Sequence, residues 1–379
     1  MLYCEICGRN IEEQSLPWRC PCGGPLVCDP SAFRYAPDPA LPGLWRYASS
    51  LPVLDPKNAV HLGEGMTPLV PVKWDYGAGK AEILCKMDML SPSGSYKDRG
   101  AAVEISRLRE LGLTKLVEDS SGNAGAAMAA YAAAAGIACD IFVPASASEG
   151  KCAQISMYGA KLQRIPGPRE AATAAAEKAA NRDYYASHNW NPYFPEGTKT
   201  YGFELFEQLG GQAPDNIIVP AGQGSLISGA WKAFSEIAAA GKAVKMPRIF
   251  GIQSVHCAPL HQAWKNGDSA TRPFEKKPTI AEGIASAFPV RAPTVLHRVR
   301  NSKGAFVAVQ EAEIWAALVK LAQAGIYVEP TGATALAGVS RLWQEGAVRP
   351  GECTVALLSG FGLKATDKIL ELRTNPGFF

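Results

Sequence analysis

The sequence predicts an α/β fold in which parallel sheets are covered by helices, spread over two domains with a small appendage at the N-terminus. Three observations carry this expectation. From residue 84 onward, short aliphatic runs alternate with alanine-rich helical stretches, the pattern of strands joined by crossover helices. At 379 residues the chain is too long for one ordinary core. Its composition, 47% hydrophobic and 19% charged, is that of a globular chain with ample material for burial.

The appendage, residues 1–30, carries Cys4-Glu-Ile-Cys7 and Cys20-Pro-Cys22-Gly-Gly. These two cysteine hairpins resemble a zinc ribbon, because Cys4, Cys7, Cys20 and Cys22 supply four thiolates for a tetrahedral structural zinc, and so short a segment needs a staple. The second pair is one residue tighter than usual, which leaves Cys28 as a substitute ligand and a degenerate, metal-free ribbon as the alternative. Cys85, Cys139, Cys152, Cys257 and Cys353 lie in or beside apolar segments and read as reduced core residues.

Beyond the appendage, buried strands are expected over 115–118, 139–143, 162–165, 216–219, 248–253 and 354–358. Helices are expected over 97–111, 123–135, 170–180, 197–209, 225–239, 311–324 and 333–345. Gly112, Gly136, Gly210 and Gly325 fall where helix ends favour a left-handed residue. The polar stretch 267–277 reads as a surface loop, and past Lys364 only about one helix and a tail are expected.

Charge and patterning exclude several classes of function. A net charge of +3 and a ribbon that is not basic give no footprint for nucleic acid. No apolar run reaches membrane-spanning length, and the N-terminus lacks the charged start and apolar core of a signal peptide, so a cytoplasmic chain is expected.

Three turns sit where a strand or loop feeds a helix, the position at which open α/β sheets place ligands. SPSGSYKDRG at 91–100 opens a helix with Lys97, which read alone is either a lysine held near a ligand or a solvated lysine beside Asp98 and Arg99. EDSSGNAG at 118–125 gathers Ser120, Ser121, Gly122 and Asn123 at a helix N-terminus, where Asn123 alone reads as a cap. VPAGQGSL at 219–226 allows Gly222, Gln223, Gly224 and Ser225 to turn successive backbone N–H groups toward a phosphate. Neither a dinucleotide fingerprint nor a Walker pattern is present.

Together these blocks resemble those of threonine synthases, within the pyridoxal-phosphate fold type II group that also holds tryptophan synthase β chains, serine and threonine dehydratases and cysteine synthases. The resemblance runs from about residue 62 to 364 and rests on LGEGMTPL at 62–69, SYKDRG, SSGNAG, VEPTGATALAGV at 328–339 and LLSGFGLK at 357–364. It implies two open parallel-sheet domains with the cofactor cleft between them: a large one of 31–90 plus 205–379 and a small one of 91–204. It further implies pyridoxal 5'-phosphate as a Schiff base on Lys97, which then serves as the base at Cα. Asn123 would bond the cofactor's phenolic oxygen, Gly222 to Leu226 its phosphate, and Ser359 its pyridine nitrogen. A hydroxyl at that nitrogen disfavours transamination and favours elimination or replacement on the side chain. Ser120, Ser121 and Gly122 would receive the substrate carboxylate, and a homodimer is expected by analogy.

The chain departs from the resemblance at the far end of the substrate. Where threonine synthases carry N-P-x-R, this chain reads Asn191-Pro192-Tyr193-Phe194, and Ala124 stands where they carry threonine. A phenyl ring offers a phosphate none of the paired donors of a guanidinium. Lys199 is either an anion-binding residue or a solvated helix lysine. Phe361 replaces the histidine of the last block. The expectation is a carbon–oxygen lyase or synthase that carries out elimination or replacement on the side chain of an amino-acid substrate, with an altered substrate site. The alternatives are a genuine threonine synthase acting on O-phosphohomoserine, a serine or threonine ammonia-lyase, and a catalytically silent binding protein.

Overall fold

The computed structural model describes residues 1–77, 79–147, 149–242 and 244–374. The tail expected at the C-terminus lies outside the described residues. The chain forms two compact units, Met1–Gly65 with Ser91–Thr200, and Met66–Leu90 with Tyr201–Phe379. The sequence assigned 31–65 to the large domain, but these residues cluster with the first unit. The cause is burial: Leu44, Trp45, Leu51 and Val60 share one core with Ala101, Ile105 and Leu108.

In the first unit, a parallel sheet runs in the order Lys161–Ile165, Ala138–Pro144, Lys115–Glu118, Tyr184–Tyr185. The two-residue edge strand is too short to leave a period in the sequence. The helix Asn123–Ala135 consists almost wholly of small residues, which lets it pack closely against Lys97–Glu110. Ahead of them, Leu2–Cys4, Asn10–Ile11 and Leu26–Cys28 make a three-stranded antiparallel sheet. Its residues Leu2, Leu26 and Cys28 enter the same core as the Lys97 helix.

The second unit holds a six-stranded sheet in the order Phe306–Val309, Arg248–Ser254, Asn216–Pro220, Thr354–Leu357, Lys80–Lys86, Leu69–Asp75. Only the last pair is antiparallel. Asn216–Pro220 is buried along its whole length, as a central parallel strand must be. Leu69–Asp75 escaped the sequence reading because Pro71 interrupts it, and an edge is where a sheet tolerates the missing donor. The helix expected from 333 begins at Pro330, a proline at the first helical turn with no intrahelical bond to lose. Gly112, Gly136, Gly210 and Gly325 all take positive φ.

Candidate active site

Lys97 is the first residue of its helix and is half-buried. The turn before it is held by Asp98, whose buried carboxylate accepts from the Ser93 amide at 2.6 Å and from the Ser93 hydroxyl. Arg99, fully buried, donates to Thr200 Oγ1 at 3.1 Å. Both charged neighbours of Lys97 are therefore committed to structure, which disposes of the solvated cluster. The Lys97 Nζ lies over the rings of Tyr96 at 4.8 Å and Phe194 at 5.6 Å, and no carboxylate pairs with it among the described residues.

The Asn123 loop follows the strand Lys115–Glu118. Gly122 occupies the cap position with no side-chain hydrogen bond, so Asn123 is not a cap; it is the first helical residue and half-buried. Ser120 is buried and its Oγ accepts from the Gly122 amide at 3.3 Å, while Ser121 and Gly122 face outward. Gly125 is required sterically, since a Cβ there would lie 1.8 Å from the Ser120 carbonyl oxygen. Ala124 is buried and offers no polar atom.

Phe194, completely buried, opens the short helix Phe194–Thr198, and its amide and that of Tyr193 are fixed by Asn191 Oδ1. Its ring covers Gly100, where a Cβ would come within 2.5 Å of it. Lys199 is neither solvated nor available to an anion. It is fully buried, bonded to Glu196 Oε2 at 2.7 Å and seated over the Phe33 ring at 4.0 Å.

Beside Phe194 the structure brings up a pair that sequence reasoning missed. His188 stands edge-on to the Phe194 ring at 5.9 Å, and its Nδ1 lies 2.8 Å from Oε1 of Glu118. Glu118 is fully buried with its other oxygen unpartnered, and burial, then Asp119, holds its carboxyl well above the usual range. Burial, then the positive charges of Lys97 and Arg169, keeps the His188 imidazole neutral. The only signal in the sequence was that His188 lies three residues ahead of the Asn191-Pro192 pair.

In the second unit the strand Asn216–Pro220 feeds the helix Ser225–Ala239 through Gly222, Gln223 and Gly224. Gly224 has φ +81°, and a Cβ on it would meet Val295 at 2.5 Å, so only glycine fits this turn. The Gln223 side chain braces a neighbouring segment, donating to Ser286 Oγ at 2.7 Å and accepting from the Val290 amide at 2.8 Å. A tight turn into the positive end of a 15-residue helix is a fitting cradle for a phosphate. Ser359, just past the strand Thr354–Leu357, is 2% exposed, and its hydroxyl has no partner among the described residues. A buried hydroxyl without a bond fits a group that needs one donor or acceptor there, as a pyridine nitrogen does.

The four cysteines of the appendage have their sulfur atoms within 4.8 Å of one another. The Cys4–Cys22 and Cys7–Cys20 separations are 3.5 and 3.7 Å. A zinc–thiolate tetrahedron with bonds of about 2.3 Å has edges of about 3.8 Å. Cys28 is not a substitute ligand: it is buried and its thiol is directed at the Pro192 carbonyl.

Comparison with known proteins identifies the family. The family described as pyridoxal-phosphate dependent enzyme matches residues 60–360. The chain is 34% identical to the threonine synthase of Methanocaldococcus jannaschii over 98% of its own length and 95% of that protein's. It is also 34% identical to that of Methanosarcina acetivorans, over 99% and 95%, and to that of Mycobacterium tuberculosis, over 86% and 89%. Among solved structures, an L-serine ammonia-lyase from Rhizomucor miehei superposes with TM-score 0.70 at 23% identity, covering 81% of this chain and 97% of that one. Maize serine racemase gives 0.66 at 24%, covering 81% and 93%. Those two likenesses speak for the fold. The near full-length identity to threonine synthases and the family match make the chain a threonine synthase-like member of the pyridoxal-phosphate dependent enzymes of fold type II.

Proposed function

We propose that this enzyme acts on an amino acid whose side chain is less anionic or more apolar than that of O-phosphohomoserine. The observation that carries the reading is Phe194, a fully buried ring facing Lys97 where threonine synthases carry an arginine. Lys199 gives no compensation, since its charge is already neutralised by Glu196. A phosphate brought against a phenyl ring loses hydration without regaining donors.

On this reading Lys97, Asn123, the backbone of Gly222 to Leu226 and Ser359 hold pyridoxal phosphate. When bound, the cofactor draws electrons from Cα and so acidifies its proton. Lys97, first in its helix and without a carboxylate partner among the described residues, takes that proton on Nζ. Ser121 and the loop amides up to Asn123 receive the carboxylate at a helix N-terminus. Ser359, a hydroxyl and not a carboxylate, leaves the ring nitrogen without a strong acid, which favours elimination or replacement over transamination. We read the four-cysteine cluster as a structural zinc site, and the enzyme as a cytoplasmic homodimer; the cysteines without disulfides and the family's habit support the last two.

The test is turnover. Purified holoenzyme that converts O-phosphohomoserine to threonine at ordinary rates, about 1–10³ per second, refutes the altered site. Lys97→Ala is expected to hold the cofactor poorly and to lose turnover; an active Lys97→Ala enzyme overturns the assignment of the base.

A further inference from the structure

We infer that His188, backed by Glu118, is the general acid that protonates a departing hydroxyl, so that the substrate is a hydroxy-amino acid and the group lost is water. The inference rests on the altered substrate site proposed above and names what that site accepts.

Position comes first. His188 and Lys97 flank one and the same ring, the imidazole edge-on at 5.9 Å and the ammonium at 5.6 Å from the Phe194 centroid. A group held beside Lys97 by its α-carbon thus extends its side chain toward a region bounded by Phe194 and His188. The imidazole is anchored at one end only. Its Nδ1 meets Glu118 at 2.8 Å, whereas Nε2 has no partner among the described residues. The side chain is 9% exposed, and with Nδ1 committed to Glu118 its Nε2 is the nitrogen left to meet a substrate.

The proton count follows from burial. Glu118 is 0% exposed and one of its oxygens has no donor. A net charge on such a pair is costly, so the pair is neutral overall. A neutral carboxyl–imidazole pair holds two protons: one between Oε1 and Nδ1, the other on Nε2. The outward-facing nitrogen is therefore a donor. Arg169, exposed at the start of the helix Arg169–Ala179, and Lys97 both oppose a positive charge on the ring and favour the carboxylate that Glu118 becomes when the pair gives up a proton.

That donor answers a chemical need. Hydroxide is a poor leaving group, whereas phosphate departs without a proton from the enzyme. As the C–O bond breaks, its electron pair goes to oxygen, the Nε2 proton goes to the same oxygen, and water leaves. The Glu118 proton passes to Nδ1, so the imidazole stays neutral and the carboxyl ends as carboxylate; the Cα proton taken by Lys97 restores it through solvent at the close of the cycle. The position that lacks a phosphate-gripping arginine thus stands beside a proton donor suited to the other kind of leaving group.

Full-length holoenzyme is assayed for ammonia and 2-oxo acid release from L-serine, L-threonine and β-chloro-L-alanine, whose chloride leaves unprotonated. His188→Asn is expected to lower release from the hydroxy-amino acids by roughly 10²–10⁴-fold, the usual worth of a general acid, and release from β-chloro-L-alanine by less than about tenfold. Glu118→Gln should show the same selectivity with a smaller loss. In the apoprotein labelled with [¹⁵N]histidine, the signal that disappears in His188→Asn should report a protonated Nε2. Equal losses toward chloride and hydroxyl, a bare Nε2, or no release from either hydroxy-amino acid by the wild type overturns the inference. Release from β-chloro-L-alanine alone leaves the altered substrate site standing, and only threonine formation from O-phosphohomoserine removes that as well.

Discussion

At the scale of single residues, the cofactor role proposed for Ser359 can be told apart from a role in packing. Its hydroxyl is buried and makes no hydrogen bond among the described residues, so the folded apoprotein carries a desolvated polar group worth about 1–3 kcal/mol of instability. Ser359→Ala is therefore expected to leave the apoprotein equally stable or more stable in urea. Cofactor affinity should move the other way, falling about fivefold for one lost hydrogen bond of about 1 kcal/mol, as read by absorbance titration. A variant that unfolds earlier and binds the cofactor as tightly as the wild type would assign Ser359 to packing instead. The blocks that hold Lys97 and Ser359 stand out in the sequence because each is contiguous. Lys199 was misread because half of its surroundings, the Phe33 ring, lies far away in sequence.

At the scale of elements, the helix Lys97–Glu110 shows why periodicity locates a helix better than it describes one. Eleven of its residues are buried, among them Asp98, Arg99, Glu104 and Arg107, so its polar residues do not mark a solvated face. Glu104 is the extreme case: it is fully enclosed, neither carboxyl oxygen has a partner among the described residues, and burial together with Glu118 raises its pKa well above the usual range. The folded state keeps a proton that the unfolded chain releases near pH 4.3. Stability is thus full below that pH and falls as pH rises toward the folded value, by up to about 1.4 kcal/mol per pH unit. Glu104→Gln removes this loss, so its advantage over the wild type in denaturant midpoint should be small at pH 4.5 and widen toward pH 8. A constant difference across that range would mean that Glu104 is ionised in the fold. The central strands Asn216–Pro220, Arg248–Ser254 and Thr354–Leu357 were legible because burial on both faces writes a continuous apolar run, whereas the interior strand Lys80–Lys86, exposed at its start, was not. The edge strand Leu69–Asp75 and the proline-led helix Pro330–Gln344 were missed or shortened, because proline reads as a breaker until the sheet edge or first turn that tolerates it is known.

At the scale of the whole molecule, the cysteine appendage is part of a larger core and not a tethered module. Cys4, Cys20, Leu2 and Leu26 lie in the same apolar cluster as Ala101, Ile105 and Leu116, so whatever orders the three short strands also closes the first unit around the helix that carries Lys97. The spacing of the thiols was legible, but the role of Cys28 was not, since its partner Pro192 lies 164 residues away. With four sulfurs within 4.8 Å of one another and two of the pairs at 3.5 and 3.7 Å, the cluster has the dimensions of a zinc–thiolate tetrahedron. One zinc per chain is expected by metal analysis. In peptides such sites contribute about 10–16 kcal/mol of apparent binding energy at pH 7, which is more than a typical domain's stability of about 5–15 kcal/mol. Chelation should therefore open the core, seen as dye binding to newly exposed apolar surface, and Cys7→Ser should do the same with its zinc lost. Cys28→Ser should keep its zinc, because its thiol faces a carbonyl and not the cluster. If the purified protein holds no metal and a chelator leaves its melting temperature unchanged, the ribbon is held by its apolar contacts alone. The Lys97 helix would then owe its placement to Leu2, Leu26 and their neighbours and not to a metal staple.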